Sequence, residues 1–396
     1  MKRHHLDQVS SGPIGNQRIP SSFHSDWHKT PWGNCFNFDG PFSDSVRSYI
    51  LENVIFWIRE YGFDGMRLDA VHGIMDTSPV HILKEIGELS SYLTESLGRK
   101  IVMIDESDKN DVSLTSPLER CGYGIDGQWN DDFHHSLHTL ITGESRSYYS
   151  DYGNSDDLRQ TIKGGFLFNG LYSRFLRKTK GTDFSNSHRS RLVVYSQNHD
   201  QVGNRAFGER LITLVGPSSA MQAAVLTILS PFTPMIFQGE EMAIRTPFQF
   251  FVDARDEKTA NAISNGRRKE FSDFQWAQKI PDPNDVASFT GSIIDWELAG
   301  SAESRKFMSL YRRLFELRRK YVSGSPEEYS VSDSKNPLVF SYRSGMKVAF
   351  NFGKVNIGID HIPEEILLDI PTETNIRQGA PTIFDGIMKP GLVVFL

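Results

Sequence analysis

The stretch "KIVMIDES" (residues 100–107) contains four consecutive apolar residues followed by two acids. Such a short apolar run is typical of a strand buried on both faces, as in a parallel sheet covered by helices. The same design recurs in "DGMRLDA" (64–70), "LVVYSQNHD" (192–200) and "PMIFQGEE" (234–241), with "GIDGQWNDD" (124–132) as a weaker candidate. The sequence therefore predicts a parallel sheet whose strands end in polar side chains.

Helical segments separate these predicted strands. Apolar residues at helical spacing predict amphipathic helices over residues 44–60, 79–97 and 301–320. The repeated order fits a (β/α) barrel, whose active sites lie at the carboxyl ends of the strands, but an open doubly wound sheet also fits. No glycine-rich nucleotide motif supports a nucleotide-binding fold. Beyond the turn at 323–326, short extended pieces separated by Gly, Pro and Asn predict a small all-β domain.

Composition and charge restrict the class of protein. Of the 396 residues, 38% are hydrophobic, which suits one large domain with a small second one. The net charge of −6 is small and both signs are interspersed, so neither nucleic acid nor a membrane is indicated as a partner. The N-terminus has no apolar signal region, and the two cysteines match no metal or redox spacing. We expect a cytoplasmic protein in which Cys35 and Cys121 are buried and reduced.

Three carboxylates end three of the predicted strands, namely Asp69, Glu106 and Asp200. Parallel strands that lie side by side would bring these groups to one pocket. Retaining glycoside hydrolysis needs a carboxylate nucleophile and a carboxylic acid proton donor about 5 Å apart, and a third carboxylate would stabilise positive charge on the sugar. A single acid at this position is more often a helix cap, but three in matching positions favour a catalytic set.

The residues beside these acids suggest how each would be tuned. Arg67 lies two residues before Asp69, on the same side of the strand, and would keep that carboxylate charged. Glu106 follows an apolar run and sits beside Asp105, so burial and like charge are both expected to raise its pKa. Because side chains alternate along a strand, Asp105 and Glu106 point to opposite faces and only one of them enters the pocket.

The stretches "GMRLDAVH" (65–72), "MIDES" (103–107) and "QNHD" (197–200) resemble, in order, three of the four signature regions of the α-amylase superfamily of glycoside hydrolases. The resemblance implies that Asp69 is the nucleophile, Glu106 the acid/base and Asp200 the transition-state stabiliser. It also implies an α/β fold class: a partial (β/α)8 TIM barrel with strands four to eight present, followed by a small C-terminal all-β domain. No cofactor and no metal are predicted.

Stretches between the signatures, such as "KTPWGNCFNFDGP" (29–41), "YSQNHDQVGNR" (195–205) and "PFQFFVD" (247–253), resemble the maltooligosyltrehalose trehalohydrolases of that superfamily. These enzymes hydrolyse the α-1,4 bond next to a terminal trehalosyl unit and release trehalose, so the implied ligand is an α-glucan oligosaccharide. The predicted substrate-binding residues, from the resemblance, from position or from aromatic character, are Arg67, His72, Asn198, His199, Trp32, Trp129, Asp131 and Asp132.

The segment "DDFHHSLH" (131–138) allows a second interpretation. His134 and His138 are four residues apart on one helix face, a spacing that can bind zinc. The H-E-x-x-H glutamate and an obvious third ligand are missing, so hydrogen bonding or helix packing is favoured for this pair.

The sequence departs from the superfamily at its start. Nothing resembles the first three barrel strands, and "LDQVSSGPIGN" (6–16) stands where the remaining signature, an Asp and an Asn-His pair, should lie. We therefore expect an N-terminally truncated chain. Its predicted domains are a remnant of the loop after the missing third strand (1–30), a partial catalytic barrel (31–322) and a C-terminal β domain (323–396).

Two hypotheses follow for function. The first is a retaining trehalohydrolase of trehalose biosynthesis, complete only with a complementary N-terminal fragment or with an N-terminal part that this sequence lacks. The second is an inactive remnant that at most binds glucan. Among the enzymes, branching or debranching of α-glucan is the alternative, because the three acids are shared and only the loops differ.

Overall fold

The computed structural model describes residues 23–30, 33–270, 280–324, 326–358, 363–372, 381–384 and 387–396. The chain divides into two compact units. The first unit comprises Met1–Asp131 and Phe168–Val193, and the second comprises Asp132–Leu167 and Val194–Leu396. Trp32 and most of the predicted 1–30 segment lie outside the described residues.

The described residues form short strands and longer helices in alternation. The helices are α1 (Ser43–Arg59), α2 (Ile82–Leu97), α3 (Val112–Thr115), α4 (Asp131–Thr142), α5 (Asp157–Gly164), α6 (His199–Gly203), α7 (Leu211–Leu229), α8 (Glu257–Glu270), α9 (Val286–Thr290) and α10 (Ala302–Tyr321). The strands are β1 (His24–Thr30), β2 (Gly33–Phe36), β3 (Gly65–Leu68), β4 (Val102–Asp105), β5 (Gly127–Trp129), β6 (Leu171–Ser173), β7 (Lys178–Lys180), β8 (Leu192–Val194), β9 (Thr233–Pro234), β10 (Tyr329–Val331), β11 (Leu338–Tyr342), β12 (Lys347–Asn351), β13 (Ile357–Gly358), β14 (Ile366–Pro371), β15 (Ile383–Phe384), β16 (Ile387–Met388) and β17 (Gly391–Phe395).

The first unit contains a parallel sheet, as the apolar runs predicted. Strands β3, β4, β5 and β8 pair in that order. In register across them stand Leu68, Asp105, Gln128 and Leu192, all of which are buried. Helices α1 and α2 cover this face of the sheet with apolar side chains that belong to the same core as Leu68. The sheet thus presents its opposite face and its carboxyl ends to the site residues.

The second unit contains the remaining predicted barrel strand and the longest helices. The backbone N–H of Met235, just after β9, donates to the carbonyl of Val194 at the end of β8 (2.8 Å). Helix α7 is apolar and long enough to cross a bilayer by length and composition, but 61% of that window is buried inside the structure. Its backbone is kinked at Gly216 (φ +77°), directly before Pro217. In this structure α7 is therefore a core helix.

The C-terminal part of the second unit is an antiparallel β structure, which confirms the predicted C-terminal all-β part of an α/β chain, whereas the partial barrel stays a prediction. Five strands pair in the order β10, β11, β12, β17, β14, and the short strands β13, β16 and β15 form a second sheet. Val393 and Phe395 of β17 pack in one apolar cluster with Met388 of β16. The preceding helix α10 buries the predicted stripe of Phe307, Leu310, Leu314 and Leu317.

The two cysteines are unpaired, but only one is buried as predicted. Cys35 is 2% exposed on β2, whereas Cys121 is exposed. Cys121 follows a short 3-10 turn and adopts a left-handed backbone conformation (φ +60°). The turn directs this side chain outward, so the expectation of burial was wrong for Cys121.

A buried arginine fixes the loop that follows β3. The Arg47 side chain of α1 donates to the carboxylates of Asp76 (2.8 Å) and Glu85 (3.1 Å) and to the backbone carbonyls of Phe38 (2.8 Å) and Val80 (2.6 Å). Asp76 has no exposed side-chain surface, so Arg47 is the cation that compensates its burial. This network ties α1 and α2 to the loop that leaves the end of β3.

We expect Arg47→Met to lower the free energy of unfolding by about 3 kcal/mol, because it leaves the buried Asp76 carboxylate without its cation. Urea unfolding followed by circular dichroism measures this loss. Arg59→Met, at an exposed position of the same helix, is the matched control and should change stability by less than about 0.5 kcal/mol. Equal effects of the two substitutions would contradict the proposed role of Arg47.

Candidate active site

One guanidinium holds two of the predicted catalytic carboxylates in the first unit. Arg67 forms an ion pair with Asp69 through Nη1 and a second one with Glu106 through Nη2, at 2.6 Å from Oε2. All three side chains are partly accessible, between 20% and 28%. Because the shared cation offsets the repulsion between the two negative charges, both carboxylates can lie close together.

Backbone hydrogen bonds join the ends of β3 and β4 and bring Asp69 close to Glu106. The N–H of Glu106 donates to the carbonyl of Leu68, and the N–H of Val71 donates to the carbonyl of Glu106, both at 3.0 Å. The Glu106 carboxylate also accepts the N–H of Ala70 (2.9 Å). Ala70 has a left-handed conformation (φ +43°), which is costly for a residue with a Cβ atom. The strained turn therefore places the Asp69 backbone directly beside Glu106.

The Trp129 ring packs against the Arg67 side chain. The Arg67 Cζ atom lies 4.3 Å from the centroid of the Trp129 ring, a cation–π contact. The tryptophan is only 8% exposed. Sequence reasoning proposed this ring as a sugar platform. One face of the ring contacts the guanidinium, and the sugar contact of Trp129 stays a prediction.

Asp105 ends β4 and Glu106 directly follows it, and the two side chains face opposite ways, as the alternation of side chains predicted. A raised pKa of Glu106 stays a prediction. Glu106 is partly exposed and paired with Arg67, whereas Asp105 is fully buried. Burial, reinforced by the charge of Asp111, raises the pKa of Asp105 well above its ordinary value. Among the described residues, neither Asp105 oxygen has a hydrogen-bond partner. The apolar run thus buries the acid that does not face the arginine.

Two further predicted residues of the first unit lie in the segments that leave these strands. His72 belongs to a 3-10 turn after β3, and its Nδ1 lies 3.8 Å from a carboxylate oxygen of the exposed Asp108. Asp131 is the first residue of α4 and is half-buried. The structure thus brings Arg67, Asp69, Glu106 and Trp129 into direct contact, and His72 and Asp131 follow the ends of β3 and β5.

The third carboxylate belongs to the second unit, where it lies on a helix. Strand β8 ends at Val194, so Asp200 does not end a strand as predicted but lies in the first turn of α6. The Asn198 side chain accepts the N–H groups of Asp200 (2.8 Å) and Gln201 (3.2 Å) and thereby starts the helix. His199 Nε2 lies 3.3 Å from the Asp200 carboxylate, which is 42% exposed. Asn198, His199 and Asp200 therefore form one accessible group.

Asp132 is placed unlike the other predicted binding residues. Its side chain is fully buried and accepts the hydroxyl proton of Tyr152 (2.6 Å). Such a carboxylate supports the start of α4 and cannot reach a sugar without rearrangement, so we leave Asp132 out of the proposed site.

The histidines that allowed a zinc interpretation make hydrogen bonds instead. His134 contacts the Ser196 carbonyl and the Tyr149 hydroxyl, and His138 contacts Glu144. In the part of the chain that the structure describes, no group of three His, Cys, Asp or Glu residues has the arrangement of a metal site. Sequence reasoning missed Glu144, since its partner Arg205 is 61 residues away.

Most of the chain is similar in sequence to curated proteins of known name. A malto-oligosyltrehalose trehalohydrolase of Rhizobium sp. is 41% identical over 348 residues, which cover 85% of this chain and 58% of the relative. The enzyme of the same name from Saccharolobus solfataricus is 43% identical over 323 residues, or 81% of this chain and 54% of the relative. The chain thus spans little more than half the length of these curated relatives. No protein-family model matches it.

Solved structures agree with the sequence relatives. A Salmonella typhimurium protein, provisionally named an alpha amylase, superposes with a TM-score of 0.83 at 31% identity, over 94% of this chain and 63% of that one. A trehalose-6-phosphate hydrolase of Bacillus licheniformis has a TM-score of 0.53 at 17% identity, over 92% of this chain and 70% of that one, and shows the fold alone.

The chain belongs to the α-amylase superfamily of glycoside hydrolases, as the three signature stretches predicted. Within that superfamily its sequence relatives are the malto-oligosyltrehalose trehalohydrolases, which confirms the resemblance seen in the stretches between the signatures.

The buried Asp105 gives a test of the electrostatics beside the site. Its folded-state pKa is raised, so the folded chain keeps a proton that the unfolded chain loses above pH about 4. Stability should therefore fall as the pH rises from there, by up to about 1.4 kcal/mol per pH unit. Asp105→Asn should remove this fall, as measured by urea unfolding at several pH values. Asp108→Asn, at an exposed carboxylate, should keep the wild-type slope. Equal slopes for wild type and Asp105→Asn would show that Asp105 is ionised when folded.

Proposed function

We propose that this chain carries the catalytic centre of a retaining glycoside hydrolase that cleaves the α-1,4 bond next to the terminal trehalosyl unit of a maltooligosyltrehalose and releases trehalose. The observation that supports this most directly is the contact of one arginine, Arg67, with two partly exposed carboxylates, Asp69 and Glu106. Retaining hydrolysis requires two adjacent carboxyl groups of this kind. The names of the sequence relatives supply the substrate class.

In the proposed reaction Asp69 attacks the anomeric carbon of the maltooligosyl part while Glu106 gives its proton to the departing trehalose oxygen. A glycosyl ester on Asp69 results. Glu106 then takes a proton from water, which attacks the same carbon and frees the carboxylate of Asp69. The proton that Glu106 gives to trehalose is replaced by the proton that it takes from water, so both carboxyl groups return to their starting states and the balance needs no cofactor.

The remaining residues receive proposed binding roles. Asp200, with His199 and Asn198, would stabilise the positive charge that develops on the sugar, since its carboxylate is 42% exposed. His72 and Asp131 would contact the trehalose side. The sugar contact of Trp129, and any contact of Trp32, stay predictions. The same holds for the cytoplasmic location and the domain limits near residues 30 and 322.

The chain spans 54% to 58% of its curated relatives, so the activity of the whole protein goes beyond what these residues alone establish. The predicted complementary N-terminal fragment also stays a prediction. An assay of the purified chain with maltotriosyltrehalose decides between the two hypotheses. Free trehalose supports the hydrolase, and binding of the substrate without release supports the glucan-binding remnant.

Asp69→Asn should lower the rate of trehalose release by about a thousandfold or more, because an amide cannot form the glycosyl ester. Chromatography of free trehalose measures the rate. Asp64→Asn is the matched control, since Asp64 directly precedes β3 and its side chain is 86% exposed beside Arg99. It should leave the rate unchanged. A wild-type rate in Asp69→Asn would contradict the assignment of the nucleophile.

The stereochemistry gives an independent check. Two inversions at the anomeric carbon retain its configuration, so the shortened maltooligosaccharide should appear first as the α anomer. Proton NMR during the first minutes of reaction distinguishes the anomers. Initial formation of the β anomer would overturn the double-displacement proposal.

A further inference from the structure

The segment that carries Asp200 is held at both ends, at one end by a residue of helix α4 and at the other by a residue directly after that helix. We call residues 196–205 the Asp200 segment; it comprises the end of the loop after β8, helix α6 and the turn behind it. Ser196 begins the segment and Arg205 ends it. Between them, Asn198 caps α6, and the N–H of Asn204 donates to the carbonyl of Asp200 (2.8 Å). The position of Asp200 therefore depends on the contacts that hold Ser196 and Arg205.

His134 holds the first end. Its Nδ1 lies 2.9 Å from the Ser196 carbonyl and its Nε2 lies 2.8 Å from the Tyr149 hydroxyl. A carbonyl can only accept, so the ring proton is on Nδ1, and Nε2 accepts the proton of Tyr149. Burial, with the charges of His138 and His135, lowers the pKa of His134 well below its ordinary value, which fits this neutral form.

Glu144 holds the second end. Its two carboxylate oxygens each accept one N–H of the Arg205 guanidinium, both at 2.8 Å, in a bidentate pair. Its Oε2 also accepts the Nε2 proton of His138 (2.8 Å). Hydrogen bonds from Arg205 and His138 outweigh burial and hold the pKa of Glu144 well below its usual range. The carboxylate is therefore charged and fully engaged.

Glu144 is itself fixed to helix α4. The helix ends at Thr142, whose hydroxyl accepts the Glu144 N–H (3.1 Å). Gly143 makes the turn between them in a left-handed conformation (φ +76°) and donates its N–H to Thr139 (3.0 Å). The carboxylate thus stands at a defined position beyond the last turn of α4.

We propose that Glu144 is a positioning residue for Asp200: it clamps Arg205 to the end of helix α4 and so fixes the orientation of helix α6. The proposal rests on the transition-state role of Asp200 in the proposed function. The bidentate pair with Glu144 holds Arg205, the residue that ends the Asp200 segment, so Glu144 acts on Asp200 through the backbone of α6. A carboxylate placed even 1 Å away from the developing charge loses much of its effect.

Glu144→Gln tests this clamp, because the amide keeps the shape and one acceptor oxygen but loses the charge. We expect kcat for trehalose release to fall by about tenfold or more, while KM stays within about twofold. Arg205→Lys, which keeps the charge but not the bidentate geometry, should retain part of the rate lost in Arg205→Gln. Glu144→Gln combined with Arg205→Gln should lose no more than either change alone.

A second readout does not need activity. Hydrogen exchange of the backbone amides of Val202 in α6 and of Asn204 directly after it should be faster in Glu144→Gln than in the wild type, because the turn behind the helix loses one of its two anchors. The other anchor is Arg267, which donates to the carbonyls of Gly203 (2.8 Å) and Arg205 (2.9 Å). If wild type releases no trehalose, the proposed function fails and the exchange rates still decide the positioning role. Unchanged exchange in the folded variant, or unchanged kcat in an active one, would overturn the inference.

The chain offers a matched control for the same chemical change. Glu303 forms a bidentate pair with Arg245, at 2.5 and 3.0 Å, and is 37% exposed against 38% for Glu144. Glu303→Gln should leave both kcat and the exchange of the Asp200 segment unchanged. An equal loss in Glu303→Gln would show that the effect of Glu144→Gln is a general loss of stability, which also overturns the inference.

Discussion

The first unit depends on the sharing of Arg67 between two carboxylates. Asp69 and Glu106 are brought together by the backbone bonds between the ends of β3 and β4, and two adjacent negative charges without a cation would repel each other. The left-handed turn at Ala70 would also be costly alone, but its N–H gains a charged acceptor in Glu106. The Trp129 ring packs against the guanidinium, with the Arg67 Cζ atom 4.3 Å from the ring centroid. Glu106 thus offsets the strain at Ala70, and Arg67 offsets the charge of both acids.

The second unit uses another solution for its carboxylate. Among the described residues no arginine forms an ion pair with Asp200, and the segment around it is held by hydrogen bonds of Ser196, Gln197 and Arg205. The Gln197 amide accepts the N–H of Leu211 (3.0 Å) and donates to Glu240 (3.1 Å), which also accepts from Tyr311 (3.1 Å). Burial raises the pKa of Glu240 to about 7. A buried carboxyl group that is fully hydrogen-bonded is rigid. Because Gln197 is one of its partners, Glu240 also restrains the backbone that leads to α6.

Sequence reasoning succeeded where the signal is local. The apolar run before Asp105 and Glu106 has the length of a buried strand, and the period of two that separates these acids to opposite faces is a property of any strand. The same logic gave helix α10 and its buried stripe. Sequence reasoning predicted too long a strand β8. The Asn198 side chain caps backbone N–H groups and starts helix α6 before Asp200 is reached.

The supporting contacts were not predictable, and the reason is physical. Glu144 and Arg205 are 61 residues apart, and a charged pair has no periodic pattern in the sequence. The histidines of α4 illustrate the same limit: spacing alone allowed zinc, and only the position of Ser196 showed that the ring nitrogen of His134 is occupied by a carbonyl. Contacts that depend on two distant segments arriving at one place carry no local signature.

The shared arginine also constrains the order of events in the proposed reaction. A proton donor cannot keep a guanidinium 2.6 Å from its oxygen, since the cation favours the ionised carboxylate. In the proposed reaction the contact between Arg67 and Glu106 must therefore loosen when a sugar binds, whereas the contact with Asp69 serves the ionised nucleophile and can remain. The contact with the Trp129 ring does not depend on either carboxylate, so it can persist while Glu106 is released. Substrate binding would thus leave Arg67 paired with the carboxylate of Asp69 alone, with Glu106 as the acid.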